Sequence, residues 1–223
     1  ANVKRRVQRA ETFRGNPVIR QTESWEDKFN ILYGSVIRDS GKFKAWYMSG
    51  MGVSYAESDD GITWVKPQLG LVTIDGQKTN VLFRKNGETT GSSELPFFQE
   101  LFGVHRDDRE ADPSRRYKMG FLSLDWKYTG PHEAPFHRGQ RRGVGVAGSP
   151  DGIHWKLIDN FATDAIADGA THWMFDPALE RYVLFGRTLK TLPEVEAAWS
   201  GYEWYKGWHS GRAVGRIESA DFV

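Results

Sequence analysis

The sequence of 223 residues contains no cysteine, which excludes a disulfide scaffold, a zinc site with thiolate ligands and a thiol nucleophile. It also has no apolar run near the roughly 18 residues that a membrane helix needs, so a membrane partner is not expected. Neither sign of charge is in excess, because 30 Lys and Arg residues stand against 29 Asp and Glu residues. Without a basic surplus, nucleic acid is not an expected partner either.

Aromatic residues and glycines, by contrast, are abundant. Aromatic residues make up 13% of the chain, with nine Trp, and there are 24 Gly. This mixture is more typical of many short strands joined by tight turns than of a helical bundle. The composition therefore predicts an all-β fold, and the 39% of hydrophobic residues are enough to form its core.

A strand–turn–strand pattern occurs three times along the chain. In each copy an apolar run leads into a polar turn, and a second strand with period-two alternation follows. The copies lie at 34–47, 102–121 and 173–185. Each of them predicts an antiparallel hairpin.

A second repeat is sharper and lies between the copies of the first. Residues 58–64 and 149–155 both read Ser-x-Asp-Gly-Ile-x-Trp, and a third copy of the strand and turn begins at Val214 and stops at Val223, where the Trp should follow. The Asp-Gly pair supplies the positive φ of a tight turn. The Trp is expected to close the turn by packing beneath it.

The two repeats together give about four strand-sized segments per unit, which is typical of a propeller blade. We therefore predict one β-propeller domain over 1–223, with blade-like units at about 30–70, 98–160 and 171–223. Because a closed ring needs roughly four to eight blades, this domain is expected to be incomplete. A β-sandwich with similar hairpins is the alternative.

The repeated hairpin, the Asn16-Pro17-Val18 segment and the strand Tyr33-Gly34-Ser35-Val36-Ile37 resemble the five-bladed β-propeller glycoside hydrolases of families 32, 43, 68 and 130. The resemblance implies an all-β, five-bladed β-propeller, of which this chain carries about the first three blades. It also implies a carbohydrate substrate, hydrolysis by carboxylate acid–base chemistry, and a secreted or periplasmic location. A non-catalytic carbohydrate-binding propeller and a protein-interaction platform are the alternatives.

Glycoside hydrolysis needs two carboxyl groups that face one sugar bond, and one of them must hold a raised pKa. In a propeller such groups come from the starts of the inner strands, so the acids just before each hairpin are the candidates. The predicted catalytic residues are Glu26, Asp27, Glu94 and Asp168. Solvated loop acids are the alternative, and Asp168 followed by Gly169 also suits a plain turn.

Residues near these acids supply the predicted sugar contacts. A Trp ring stacks on a pyranose face, while His and Arg side chains bond hydroxyl groups. The predicted substrate-binding residues are Trp25, Tyr33, His105, Arg106, His172 and Arg212. The alternatives are a Trp25 ring packed on the core and a His105 that is satisfied within an inner strand.

One position departs from the resembling enzymes. Family 43 enzymes carry their general base, an Asp, at the start of an inner strand of the first blade, and Tyr33 stands at the corresponding position here. This departure is the reason for the non-catalytic alternative.

No cofactor and no metal ligand set are predicted. The six His residues do not follow a zinc spacing. A Ca²⁺ ion bound by oxygen ligands is the alternative.

Overall fold

A computed structural model describes residues 6–26, 31–85, 95–130, 139–164, 171–188 and 213–222. These ranges contain β-strands and short 3-10 helices but no α-helix, so the all-β prediction is confirmed. No helix within them is long and apolar enough to cross a membrane. The strands form three antiparallel sheets and one small separate hairpin, and none of the sheets closes on itself.

The first sheet is a meander of β1 (Ile31–Asp39), β2 (Lys42–Ser49) and β3 (Gly52–Ser58), with β6 (Val81–Arg84) added beside β3. Within the described ranges, the short strands β4 (Thr73–Ile74) and β5 (Gln77–Lys78) pair only with each other. The sheet therefore extends past residue 70, the predicted end of the first unit, because its fourth strand comes after an excursion of the chain.

The turn between β1 and β2 shows why the hairpin forms at this point. Ser40 and Gly41 have φ values of 51° and 85°, and Asp39 pairs directly with Lys42. Two positive φ angles in a two-residue loop match the right-handed twist of the strands on either side.

The second sheet has four strands and the third has three. The second contains β7 (Phe98–Arg106), β8 (Tyr117–Asp125), β9 (Arg141–Ser149) and β10 (Lys156–Thr163) in chain order across the sheet. The third contains β11 (His172–Asp176), β12 (Arg181–Thr188) and β13 (Ala213–Ser219). Each of these sheets is a meander, like the first three strands of the first sheet.

The first strands of the three sheets lie next to one another. β1 packs along β7, and β7 also contacts β11. Between β1 and β7, the backbone amide of Val104 donates a hydrogen bond of 2.9 Å to the Ser35 hydroxyl. The sheets therefore follow one another in space in the same order as in the chain.

Two hydrophobic clusters show that the second sheet lies between the other two. One cluster joins the first and second sheets through Trp46, Tyr55, Leu101, Tyr117 and Trp155. The other joins the second and third sheets through Phe102, Leu122, Val144, Trp173 and Phe222. Strand β8 is consequently buried along its whole length except at Asp125, since both faces of its sheet are covered.

The Ser-x-Asp-Gly-Ile-x-Trp turns have the same geometry in both complete copies. Asp60 Oδ1 accepts hydrogen bonds of 2.7 Å from the amides of Ile62 and Thr63, and the Ser58 hydroxyl donates to it at 3.0 Å. The amides of Thr63 and Ile62 lower the pKa of Asp60 to about 2. The indole of Trp64 donates to the carbonyl of Gly61, which has a φ of 75°.

The second copy repeats these bonds and is more deeply buried. Asp151 accepts from two backbone amides at 2.8 Å each, and Gly152 has a φ of 82°. The Trp155 side chain is fully buried and donates to Gly152 at 3.0 Å. Trp46 of the first sheet donates to the same carbonyl at 2.6 Å, so this turn also joins two sheets.

Candidate functional site

Trp25 and Glu26 lie in a 3-10 helix that packs against the first sheet. The Trp25 indole is buried and donates a hydrogen bond of 2.9 Å to the Asn80 side chain. The Glu26 side chain is fully buried. Its carboxylate accepts from Lys66 Nζ at 2.6 Å, the Tyr47 hydroxyl at 2.8 Å and the amide of Thr22 at 2.8 Å.

These partners decide the charge of Glu26. Burial alone would raise the pKa of Glu26, but the bonds from Lys66, two backbone amides and Tyr47 outweigh it and hold the pKa below its ordinary value. A general acid at neutral pH needs the opposite shift. The surroundings of Glu26 therefore favour a permanent ion pair that fastens the 3-10 helix to the sheet, and they disfavour the predicted acid role.

His105 and His172 meet where β7 contacts β11. The imidazole of His105 packs on the ring of Trp173 with centroids 4.2 Å apart. Burial, and then the repulsion from His172, lower the pKa of His105, and a bond with the Trp173 backbone only partly opposes them. His105 is consequently neutral at pH 7, while His172 beside it is exposed to solvent.

Tyr33 lies on β1 and is 38% exposed, so its ring is open to a ligand. An exposed phenol can stack on a sugar ring and bond its hydroxyl groups, but it is not the carboxylate that the resembling enzymes use as a base. Tyr33 therefore has the surface position that a sugar contact needs.

Arg106 forms part of a buried charged group between the first and second sheets, which we call the first clasp. Asp39, at the end of β1, accepts from Arg106, from Lys44 Nζ at 2.7 Å and from the hydroxyl of Tyr117. Burial opposes the charge of Asp39, but the bonds from Lys44 and Tyr117 hold its pKa far below the ordinary value. With these partners, Arg106 is fixed between two sheets and is only partly available to a ligand.

A second clasp joins the second and third sheets in the same way. Asp107, just after β7, accepts from the hydroxyl of Tyr182 on β12, and the buried Lys118 Nζ lies 3.6 Å from it. Burial raises the pKa of Asp107, but Tyr182 and Arg109 outweigh it, and the pKa is lowered. In both clasps an Asp and a Lys of one sheet hold a Tyr of the next.

The clasps were not foreseen, although the sequence carries a signal for them. An Asp stands at the end of the first strand of each hairpin repeat or directly after it, and an aromatic residue follows near the start of the second strand: Asp39 and Phe43, Asp107 and Tyr117, and Asp176 and Tyr182. Lys44 and Lys118 directly follow the aromatic residue in the first two copies. Repeated ionic residues at equivalent positions indicate repeated partners.

Four predicted site residues, Asp27, Glu94, Asp168 and Arg212, lie outside the described ranges. The three acids among them all belong to stretches of chain that directly precede the first strand of a sheet, since β1, β7 and β11 begin at 31, 98 and 172. The part of the chain that the structure describes holds no cluster of three or more acidic or His side chains arranged for a metal ion. Comparison with protein-family models and with curated proteins found no match to this chain.

Proposed function

We propose that the three sheets are consecutive blades of a five-bladed β-propeller that acts on a carbohydrate. The observation that supports the blade arrangement is the contact of β1 with β7 and of β7 with β11, and the carbohydrate substrate follows from the resemblance of the sequence to the propeller glycoside hydrolases. Blades of a propeller are antiparallel meanders whose first strands surround a common axis. The repeated turns and the two clasps support the same succession of units.

The proposed reaction is hydrolysis of a glycosidic bond by a pair of carboxyl groups. Asp168 is the first candidate, and Asp27 or Glu94 is its partner, because all three come just before first strands and such ends meet around the axis of a propeller. One carboxyl group would protonate the leaving oxygen while the other activates water or attacks the sugar. Tyr33 and His172, both exposed, would contact the sugar.

Binding without catalysis is a second candidate, and two observations favour it. Glu26 is committed to Lys66 and Tyr47, which removes one of the predicted acids. Tyr33 is an exposed aromatic side chain at the position where the resembling enzymes have their base. A propeller with aromatic contacts and one acid would bind a glycan and leave it intact.

The two candidates are separated by incubating the protein, made from its complete reading frame, with a panel of oligosaccharides and identifying products by mass spectrometry. The test variant is Asp168→Asn. The matched control is Asp164→Asn, which changes an acid four positions away that pairs with Arg141 at 2.8 Å. Hydrolysis that Asp168→Asn abolishes and Asp164→Asn retains supports the enzyme.

Other results of the oligosaccharide experiment support the binding candidate or contradict part of the proposal. Saturable glycan binding with no product supports the binding candidate, and Tyr33→Ala is then expected to weaken it at least tenfold. Hydrolysis that survives Asp168→Asn contradicts the role of Asp168. Neither hydrolysis nor binding for any glycan contradicts a carbohydrate function.

A further inference from the structure

The dipeptide Asp-Gly occurs three times in the part of the chain that the structure describes, and its surroundings differ. The three pairs are Asp60-Gly61, Asp75-Gly76 and Asp151-Gly152. A peptide chain rearranges by itself most readily at such a pair, because glycine has no side chain to shield its amide nitrogen. In a folded protein the outcome depends on what holds that nitrogen and the neighbouring carboxyl group.

The rearrangement has two steps. The glycine amide nitrogen first attacks the side-chain carboxyl carbon; a C–N bond forms, and the carboxyl OH leaves as water with the amide proton, which gives a cyclic succinimide. Water then adds to the backbone carbonyl of the ring and breaks its bond to the nitrogen. The product is isoaspartate, in which the main chain runs through the side-chain carboxyl carbon. The first step needs a protonated carboxyl group, since an ionised one has no leaving group.

At Asp60 both reacting groups are held. Its carboxylate accepts hydrogen bonds of 2.7 Å from two backbone amides, and the amide of Gly61 donates to the Ser58 hydroxyl at 2.8 Å. Asp151 has the same arrangement, with two amides at 2.8 Å and the amide of the next glycine bonded to a Ser hydroxyl at 2.9 Å. Donors to a carboxylate favour its ionised form, so these two turns resist the first step.

The pair Asp75-Gly76 has neither restraint. Both residues are exposed, and among the described residues no hydrogen bond or ion pair is found for the Asp75 carboxylate or for the Gly76 amide. A Cβ built on Gly76 would meet nothing within 4 Å, so the space beside the turn is open. The turn joins β4 and β5, which have two residues each. A hairpin this short is marginally stable and opens locally at little cost, so the geometry of attack can be reached.

We propose that Asp75 is a site of spontaneous modification, at which the Gly76 amide nitrogen closes a succinimide and hydrolysis leaves isoaspartate. The change inserts one main-chain carbon into a two-residue turn, so the pairing of Ile74 with Gln77 is expected to be lost. Ile74 packs against a cluster that includes the buried Trp25, and the modification therefore disturbs the packing around this ring. The proposal does not depend on the proposed function, because it involves no ligand.

The test incubates the whole protein in mildly acidic buffer, folded and in urea, and follows isoaspartate at each position. Peptide mass spectrometry with electron-transfer fragmentation assigns isoaspartate to one residue, so the pair Asp168-Gly169, outside the described ranges, is measured separately. In urea the turns are lost, and the three described pairs are expected to react at similar rates. In the folded protein, Asp75 is expected to keep most of that rate, whereas Asp60 and Asp151 react at least about tenfold more slowly.

Two variants test the cause of this difference. Asp75→Glu would have to close a larger ring, so it is expected to give no isomerised product at this position. Ser58→Ala frees the Gly61 amide and removes a donor to Asp60, so it is expected to raise the rate at Asp60 in the folded protein.

The comparison of folded and unfolded protein needs neither variant, so the proposal can be tested even if a variant fails to fold. A folded-state rate at Asp75 as slow as that at Asp60, or isomerised product at position 75 in Asp75→Glu, would overturn the proposal. An unchanged rate at Asp60 in Ser58→Ala would contradict the protective role of the turn bonds.

Discussion

At the scale of single residues, the two clasps show how buried charges are used in this protein. Asp39 and Asp107 are both nearly inaccessible to solvent. A buried carboxylate is tolerated only when several donors satisfy it. In each clasp one of those donors is a Tyr hydroxyl from the following sheet, so the stability of the ion pair depends on the packing of two sheets.

The Tyr117 hydroxyl is therefore expected to contribute measurably to stability. Tyr117→Phe removes a hydrogen bond to a charged group, and we expect the free energy of unfolding to fall by about 2 kcal/mol. Tyr182→Phe is expected to have a similar effect at the second clasp. The measurement is urea denaturation, with Tyr128→Phe as a control expected to change stability by less than about 0.5 kcal/mol. An effect of Tyr117→Phe no larger than the control would contradict the role of the clasp.

Because the pKa of His105 is lowered, we expect the stability of the protein to fall in mildly acidic solution. Because the pKa of His105 is lower in the folded protein than its ordinary value of 6.5, the unfolded chain binds a proton first as the pH falls. Stability from this group is complete above its ordinary pKa and is lost as the pH falls through the lowered pKa. The free energy of unfolding is thus expected to decrease as the pH falls below about 6.5, the ordinary pKa of the group.

Variants separate His105 from other groups in this pH range. His105→Gln is expected to remove most of the decrease, while His172→Gln, which removes the repelling neighbour, is expected to reduce it. Urea denaturation at a series of pH values measures both. A decrease of full size in His105→Gln would mean that other groups cause it.

At the scale of elements, the two complete Ser-x-Asp-Gly-Ile-x-Trp turns have the same internal geometry but different neighbours. The bonds within the two complete turns agree to about 0.1 Å. Their surroundings differ, because a Cβ on Gly152 would lie 2.6 Å from the Trp46 ring, whereas one on Gly61 would lie 3.6 Å from Phe43. The motif alone predicts the turn but not its contact with another sheet.

Alanine substitutions at these glycines separate the cost of a positive φ angle from the cost of a steric collision. Gly76 and Gly61 have φ values of 77° and 75°, and an added Cβ would meet nothing within 4 Å at Gly76 and only ordinary contact with Phe43 at Gly61. Gly76→Ala and Gly61→Ala are therefore each expected to lower stability by about 1 kcal/mol. Gly152→Ala adds the collision with Trp46 and is expected to lower stability by about 3 kcal/mol. Thermal denaturation of the three variants measures this. Equal effects at Gly61 and Gly152 would show that Trp46 moves aside freely.

At the scale of the whole molecule, local sequence patterns predicted the strands and turns. They did not predict the contacts between residues that lie far apart in the chain. The turn residues and strand alternation were enough to predict an all-β fold with Asp-Gly turns. The pair of Trp25 and Glu26 suggested a sugar site, but the fold brings Lys66 to Glu26 from 40 positions away. The bond of Asp39 with Tyr117 spans 78 positions, and no local pattern indicates such a partner.

The central position of the second sheet predicts an order of local stability. Strand β8 is paired on both sides and covered on both faces, whereas β13 pairs with β12 alone among the described strands and is mostly exposed. Amide hydrogen exchange followed by mass spectrometry is therefore expected to be slowest in peptides from β8 and much faster in those from β13. Comparable exchange in the two strands would contradict the arrangement of the sheets.

The clasps also give the row of sheets a direction. Each contact has two unlike sides, since the earlier sheet supplies the Asp and the Lys while the later sheet supplies the Tyr. A contact with two unlike sides can be repeated from one unit to the next, and it forms a ring when the rotation between units closes. The second sheet carries both halves of this contact, with Tyr117 on one side and Asp107 and Lys118 on the other. A duplicated gene segment that encodes this sheet would therefore find a matching partner in its own copy.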